Sequence, residues 1–157
     1  MDGSFPIFCG RVLEAVRSAV QGDRSFVVKD RGDFIAFDYR ISGRPCDVFA
    51  DPLKVQGTHA KAKKERWERA VRRECRGLLI CPTTGHVLAR RFHKFWNLDE
   101  VSEASVEVVE AKLGACKTVS ISEKLDGSLV SPVLLQRSSP APPSSSSASK
   151  GLDSAEA

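Results

Sequence analysis

The chain has no uninterrupted apolar run of the ~18 residues that a membrane-spanning helix needs. Its apolar residues, 41% of the total, are spread over 157 positions, so a membrane span is excluded. The first residues, MDGSFPIFCGR, carry an acid at position 2 and no basic cluster ahead of an apolar core. A secretory leader is therefore not expected. There is no CxxC pair. The five cysteines (Cys9, Cys46, Cys75, Cys81 and Cys116) are scattered and odd in number. They read as free thiols in a reducing compartment, intracellular and either cytoplasmic or nuclear, and no pair of ligands has the spacing zinc uses. Histidine is scarce, with three residues, and no Ser-His-Asp arrangement can be built on them. No internal repeat is present.

What remains is globular in composition, with 28% charged residues and a length that suits one domain. The last twenty residues depart from it. Ser138 to Ala157 holds eight serines, three prolines and no aromatic residue. Such a segment buries too little apolar surface to offset its ordering entropy. Residues 138–157 are expected to be a disordered Ser/Pro-rich tail, leaving a folded body at residues 1–137, long enough for a real core.

Within the body, Val12, Leu13, Val16, Ala19 and Val20 recur at helical spacing and predict an amphipathic helix. SFVVKD and DFIAFDYRI read as two strands joined by a turn at Arg31-Gly32-Asp33. His59 to Glu74 reads as a basic helix with Trp67, Ala70 and Val71 turned inward. CRGLLIC and GHVLARRF read as a hairpin across Pro82-Thr83-Thr84-Gly85. Ser102 to Leu113 reads as a short helix or an irregular connection. TVSISEK, Asp126-Gly127-Ser128 and LVSPVLL read as strand, tight turn and strand, with Pro132 confining the second to an edge. The fold class expected is α+β.

Charge is uneven. Lys61 to Lys94 holds eleven basic and three acidic residues, whereas Asp99 to Glu123 holds six acids and two bases. The first block is an anion-seeking surface, and nucleic acid is the partner class it suits. A solvated helix with surplus charge would look the same.

Glu123-Lys124-Leu125-Asp126-Gly127-Ser128 ends an apolar, β-rich run with a lysine and a glycine turn. That pattern can present an amine at the mouth of a sheet and let backbone approach a phosphate. Taken alone it is also an ordinary surface turn. Upstream stand Cys75-Arg76-Gly77 and, with Lys94 eighteen residues after Arg76, Arg90-Arg91-Phe92-His93-Lys94-Phe95-Trp96-Asn97. Lys124 follows Lys94 by thirty residues.

In order and spacing these three elements resemble CRG, RPxxKFFN and KxDGS of the bacteriophage T4-type ATP-dependent RNA ligases, which include the ligase part of fungal tRNA ligases. Arg91 stands where the family has proline, and Trp96 where it has a second phenylalanine. The resemblance runs from about Ser42 to Val133. It implies a partial antiparallel nucleotidyltransferase sheet with flanking helices. It also implies ATP and Mg²⁺ as cofactors and RNA 5′-phosphate and 3′-hydroxyl ends as substrates, as in RNA repair and tRNA splicing. Lys124 matches the nucleophile that forms lysyl-AMP. Arg76, Lys94, Trp96, Asp126 and Gly127 match positions around the nucleotide.

A nucleophilic lysine must lose its proton, so a pKa below the ordinary ~10.4 is required. Nearby cations such as Arg76 and Lys94 would supply that shift. The family's downstream metal-binding carboxylates and phosphate-gripping lysines have no counterpart after Val133. The chain is therefore expected to be an incomplete enzyme and a marginally stable fragment. The alternative is a non-catalytic RNA- or nucleotide-binding fragment, with Trp67, Phe92, Phe95 and Trp96 as stacking surfaces.

Overall fold

The computed structural model describes residues 5–40, 48–123, 125–127 and 130–134. Chain order is helix α1 (Leu13–Val20), strands β1 (Phe26–Asp30) and β2 (Ile35–Tyr39), a 3₁₀ turn at Pro52–Lys54, and helix α2 (Ala60–Arg72). Strands β3 (Leu78–Ile80) and β4 (Val87–Ala89), a second 3₁₀ turn at Ser102–Ala104 and helix α3 (Val106–Ala115) follow. The four strands form one antiparallel sheet in the order β1-β2-β3-β4. This is the α+β class expected.

The first hairpin forms because β-branched and aromatic residues flank a turn that satisfies its own backbone. The Asp30 carboxylate accepts the Gly32 amide at 2.8 Å, and the Arg31 amide donates to the Phe34 carbonyl at 2.9 Å. The register then pairs Phe26 with Tyr39 and Asp30 with Ile35. The second hairpin closes with the Cys81 amide on the His86 carbonyl and the Gly85 amide on the Cys81 carbonyl, both at 2.9 Å.

One sheet face carries Phe26, Ile35, Phe37, Leu78 and Ile80, all buried, and α1 offers Leu13, Val16, Ala19 and Val20 to the same core. Each such large side chain contributes about 1.5–3 kcal/mol on burial. The apolar face read from the α1 sequence is the face observed.

Helix α2 starts where expected. His59 Nδ1 accepts the Ala62 amide at 3.2 Å, and Arg69 and Arg72 sit in the last turn, where the dipole favours cations. Its charge is not the uniformly solvated face that the pattern allows. Arg66 donates to the Gly57 carbonyl, Arg69 to the Asp51 carbonyl, and Arg72 to the Ala19 carbonyl at the end of α1. Several cations of the basic block are therefore used to satisfy the chain's own carbonyls. Lys61, Lys63 and Lys64 remain on the exposed side.

The strand-turn-strand reading after Lys117 is corrected. No strand occurs among the described residues of that stretch. Val119, Ile121, Leu125, Val130 and Leu134 are exposed, and the alternating sequence pairs with neither edge strand, β1 or β4. The Ser102–Leu113 connection resolves into the second 3₁₀ turn and α3, whose N-cap Ser105 accepts the Val108 amide. The tail, residues 138–157, lies outside the described residues.

Candidate nucleotide site

The Cys75-Arg76-Gly77 turn leaves α2 and enters β3. Gly77 has φ +88, which disfavours any side chain, and a Cβ there would lie 2.8 Å from Arg91 Nε. Glycine at this position therefore leaves room for the exposed Arg91 side chain, from the segment after β4, to lie over the turn. That segment, residues 90–96, has no regular secondary structure. Side chains hold it instead.

Arg76 Nη1 donates to the His93 carbonyl at 3.3 Å, and its guanidinium lies over the Tyr39 and Phe95 rings at 5.9 and 5.4 Å. Lys94 Nζ stands 3.8 Å above the Trp96 ring and 6.0 Å from the Phe49 ring. Phe49 in turn packs edge-on against Phe26, Tyr39 and Trp96. Arg73, almost wholly buried, holds the Glu103 carboxylate through one hydrogen bond of 3.0 Å and an ion-pair contact of 2.9 Å, and lies 5.8 Å from the Trp96 ring.

Three cations thus surround an aromatic cluster anchored in the core. Burial pushes the Lys94 pKa below the ordinary amine value. Arg76 and Arg73 push the same way, while Glu100 and Glu103 oppose them. The lowering expected for the motif lysine is thus seen on Lys94. Lys124 itself lies outside the described residues.

Arg76, Lys94 and Trp96 are brought together. Asp126 and Gly127 occupy an exposed bend, Gly127 with φ +137. They make no hydrogen bond or ion pair with that cluster among the described residues. Trp67 is partly buried against the core, so it packs rather than presenting a stacking face. Phe92 and Phe95 do present one, at 67% and 57% exposure.

Around the cluster, the buried donors Arg73 Nε, Arg76 Nε and Trp96 Nε1 lack an acceptor among the described residues. Buried donors normally have partners, and a phosphate or nucleotide supplies acceptors of the required kind. Arg73 and Trp96 also line a cavity of about 210 Å³. A larger open cleft of about 800 Å³ lies by α1 and β1 and contains no motif residue; its size does not make it the site. Magnesium fits less well. No group of three carboxylates, histidines or cysteines gathers among the described residues, and Mg²⁺ needs placed oxygen ligands.

Sequence reasoning missed Glu74. Its side chain is fully buried, with one carboxylate oxygen on Arg90 Nε at 2.5 Å and the other against His93 Nδ1. A signal was available. Of the three acids in the basic block, Glu65 and Glu68 have cationic helix neighbours, Arg69 and Lys64. Glu74 has only Ala70, Val71, Gly77 and Leu78 at those spacings, so its partner had to come from elsewhere.

A family model described as RNA ligase, of the T4 type, matches residues 74–157. A protein of Thermovibrio ammonificans named "Putative RNA ligase" is 30% identical over 124 residues, covering 79% of this chain and 26% of that protein. The chain thus spans about a quarter of that relative's length. No solved structure matches the chain.

Proposed function

The chain belongs to the RNA ligase family, and from that premise we propose that it carries the nucleotide-binding and lysine-adenylating part of an ATP-dependent RNA ligase. Residues 1–137 would form the N-terminal part of the adenylyltransferase domain. The observation that supports this reading best is the gathering of Arg73, Arg76 and Trp96 around Lys94, with the two arginine Nε atoms and Trp96 Nε1 lacking an acceptor among the described residues.

In this reading the neutral Lys124 amine forms a bond to the α-phosphorus of ATP. The bond to the bridging oxygen breaks, pyrophosphate leaves, and the amine proton passes to solvent. AMP then moves to an RNA 5′-phosphate, and a 3′-hydroxyl displaces it as the strand is sealed. Arg76 and Lys94 neutralise charge on the phosphoryl oxygens in the transition state. Trp96 gives the nucleotide site an aromatic wall that Phe49 keeps in place. Asp126 and Gly127 shape the turn beside the nucleophile.

Incubation with α-labelled ATP and Mg²⁺ should label the protein covalently. The label should vanish in Lys124→Ala and fall by about 10²-fold in Arg76→Ala, the scale for removing one preorganised donor. A label that survives Lys124→Ala refutes the assignment.

The exposed rings of Phe92 and Phe95 support a second reading, a non-catalytic RNA-binding platform. RNA affinity should then fall steeply with salt, as phosphate contacts release counterions. Salt-insensitive binding argues against it.

A further inference from the structure

Glu74 occupies an unfavourable place. It lies just past the C-terminus of α2, where the helix dipole disfavours an anion, and its carboxylate is fully buried. A buried carboxylate persists only when it is paired. Both of its partners, Arg90 and His93, come from the irregular segment that carries Lys94 and Trp96. The strand β4 ends at Ala89, so the sheet ladder gives that segment no support.

On the other side, Glu74 is joined through Cys75 to Arg76, whose guanidinium holds the His93 carbonyl. A single buried side chain therefore ties together the two motif elements that compose the cationic-aromatic cluster.

We propose that Glu74 is a positioning residue for nucleotide binding: through Arg90 and His93 it fixes the segment that sets Lys94 over Trp96. It does not touch the nucleotide. The proposal rests on the nucleotide-site reading above for its effect on adenylation, but the tether itself is independent of that reading.

The test uses the full chain carrying Trp67→Phe, so that Trp96 is the single tryptophan. Glu74→Gln is compared with its parent, and Glu74→Asp, which keeps the charge on a shorter arm, is a second variant. In Glu74→Gln the acrylamide-quenching constant of Trp96 should rise toward that of free tryptophan while the far-ultraviolet circular dichroism is retained. Adenylate labelling should fall about 10- to 100-fold, the scale of misplacing a group by about 1 Å. Glu74→Asp should recover part of both readouts.

The double variant Glu74→Gln/His93→Ala should lose no more label than the worse single variant, because both cut one tether. A lowered unfolding midpoint with unchanged Trp96 quenching would show a purely structural residue and overturn the proposal. Additive losses in the double variant would overturn it too. A parent protein that takes no label would sink the adenylation reading, while the quenching comparison would still decide whether the tether exists.

Discussion

Two stretches of this chain carry the same alternation and meet different fates. Ile35-Ala36-Phe37-Asp38-Tyr39 is strand β2, paired on both sides, with Ile35 and Phe37 each 1% exposed. Val119-Ser120-Ile121-Ser122 alternates in the same way, yet Ile121 is 95% exposed and no strand forms there. Alternation declares that a segment can cover a core, but only an available partner edge makes it do so. The division has a functional counterpart. Residues around Arg76, Lys94 and Trp96 are locked onto Phe49 and the core. The bend at Asp126 and Gly127, next to the proposed nucleophile, is exposed.

The sharpest way to break this comparison is a pair of truncations. Phe37→Ala should cost about 3–5 kcal/mol of stability, whereas Ile121→Ala should change it by less than about 0.5 kcal/mol. Denaturant unfolding measures both, and equal losses would mean that the second stretch is packed after all. Gly77→Ala should come next, at about 1–3 kcal/mol, because φ is positive and Arg91 occupies the space. Its unfolding midpoint should fall even though alanine has the higher intrinsic preference for regular structure. A neutral result would mean that the backbone at position 77 accepts a side chain without strain.

Cys75 gives a pH-dependent test of the same frame. Burial, helped by the Glu74 charge, pushes its thiol from 9.0 up to about 12. The folded state thus keeps a proton that the unfolded chain loses above pH 9. The stabilisation is complete below that pH and is lost as pH rises toward 12. At pH 10 the loss is on the order of 1 kcal/mol, and Cys75→Ala should remove that part of the slope. Exposed Cys9 and Cys116 should alkylate quickly at pH 8 while Cys75 stays protected. Rapid modification of Cys75 in the native protein would contradict the packed frame. A local effect belongs to Ser105→Ala, which removes the α3 N-cap at a cost of about 1 kcal/mol to that helix. Helix α3 buries none of its residues, so the change should appear in hydrogen exchange of α3 and barely in global unfolding. A matching global loss would show α3 coupled to the core.

Both hairpins, the apolar face of α1 and the start of α2 at His59 were legible because each is set by local pattern and turn chemistry. The motif residues Arg76, Lys94 and Trp96 were legible through their order and spacing. Glu74 and Arg73 were not, because a charged side chain reads as solvated until a distant partner is known. The missing strand at 118–123 failed for a related reason, since pairing with an edge strand depends on the whole sheet and not on local alternation.

The proposed nucleophile is Lys124, although Lys94 is the described lysine whose amine is driven toward its neutral form. Mass-spectrometric mapping of the AMP adduct after incubation with ATP and Mg²⁺ separates the two. The adduct should lie on the peptide that contains Lys124. An adduct on Lys94 would contradict the account, and so would a Lys124 adduct that persists undiminished in Arg76→Ala.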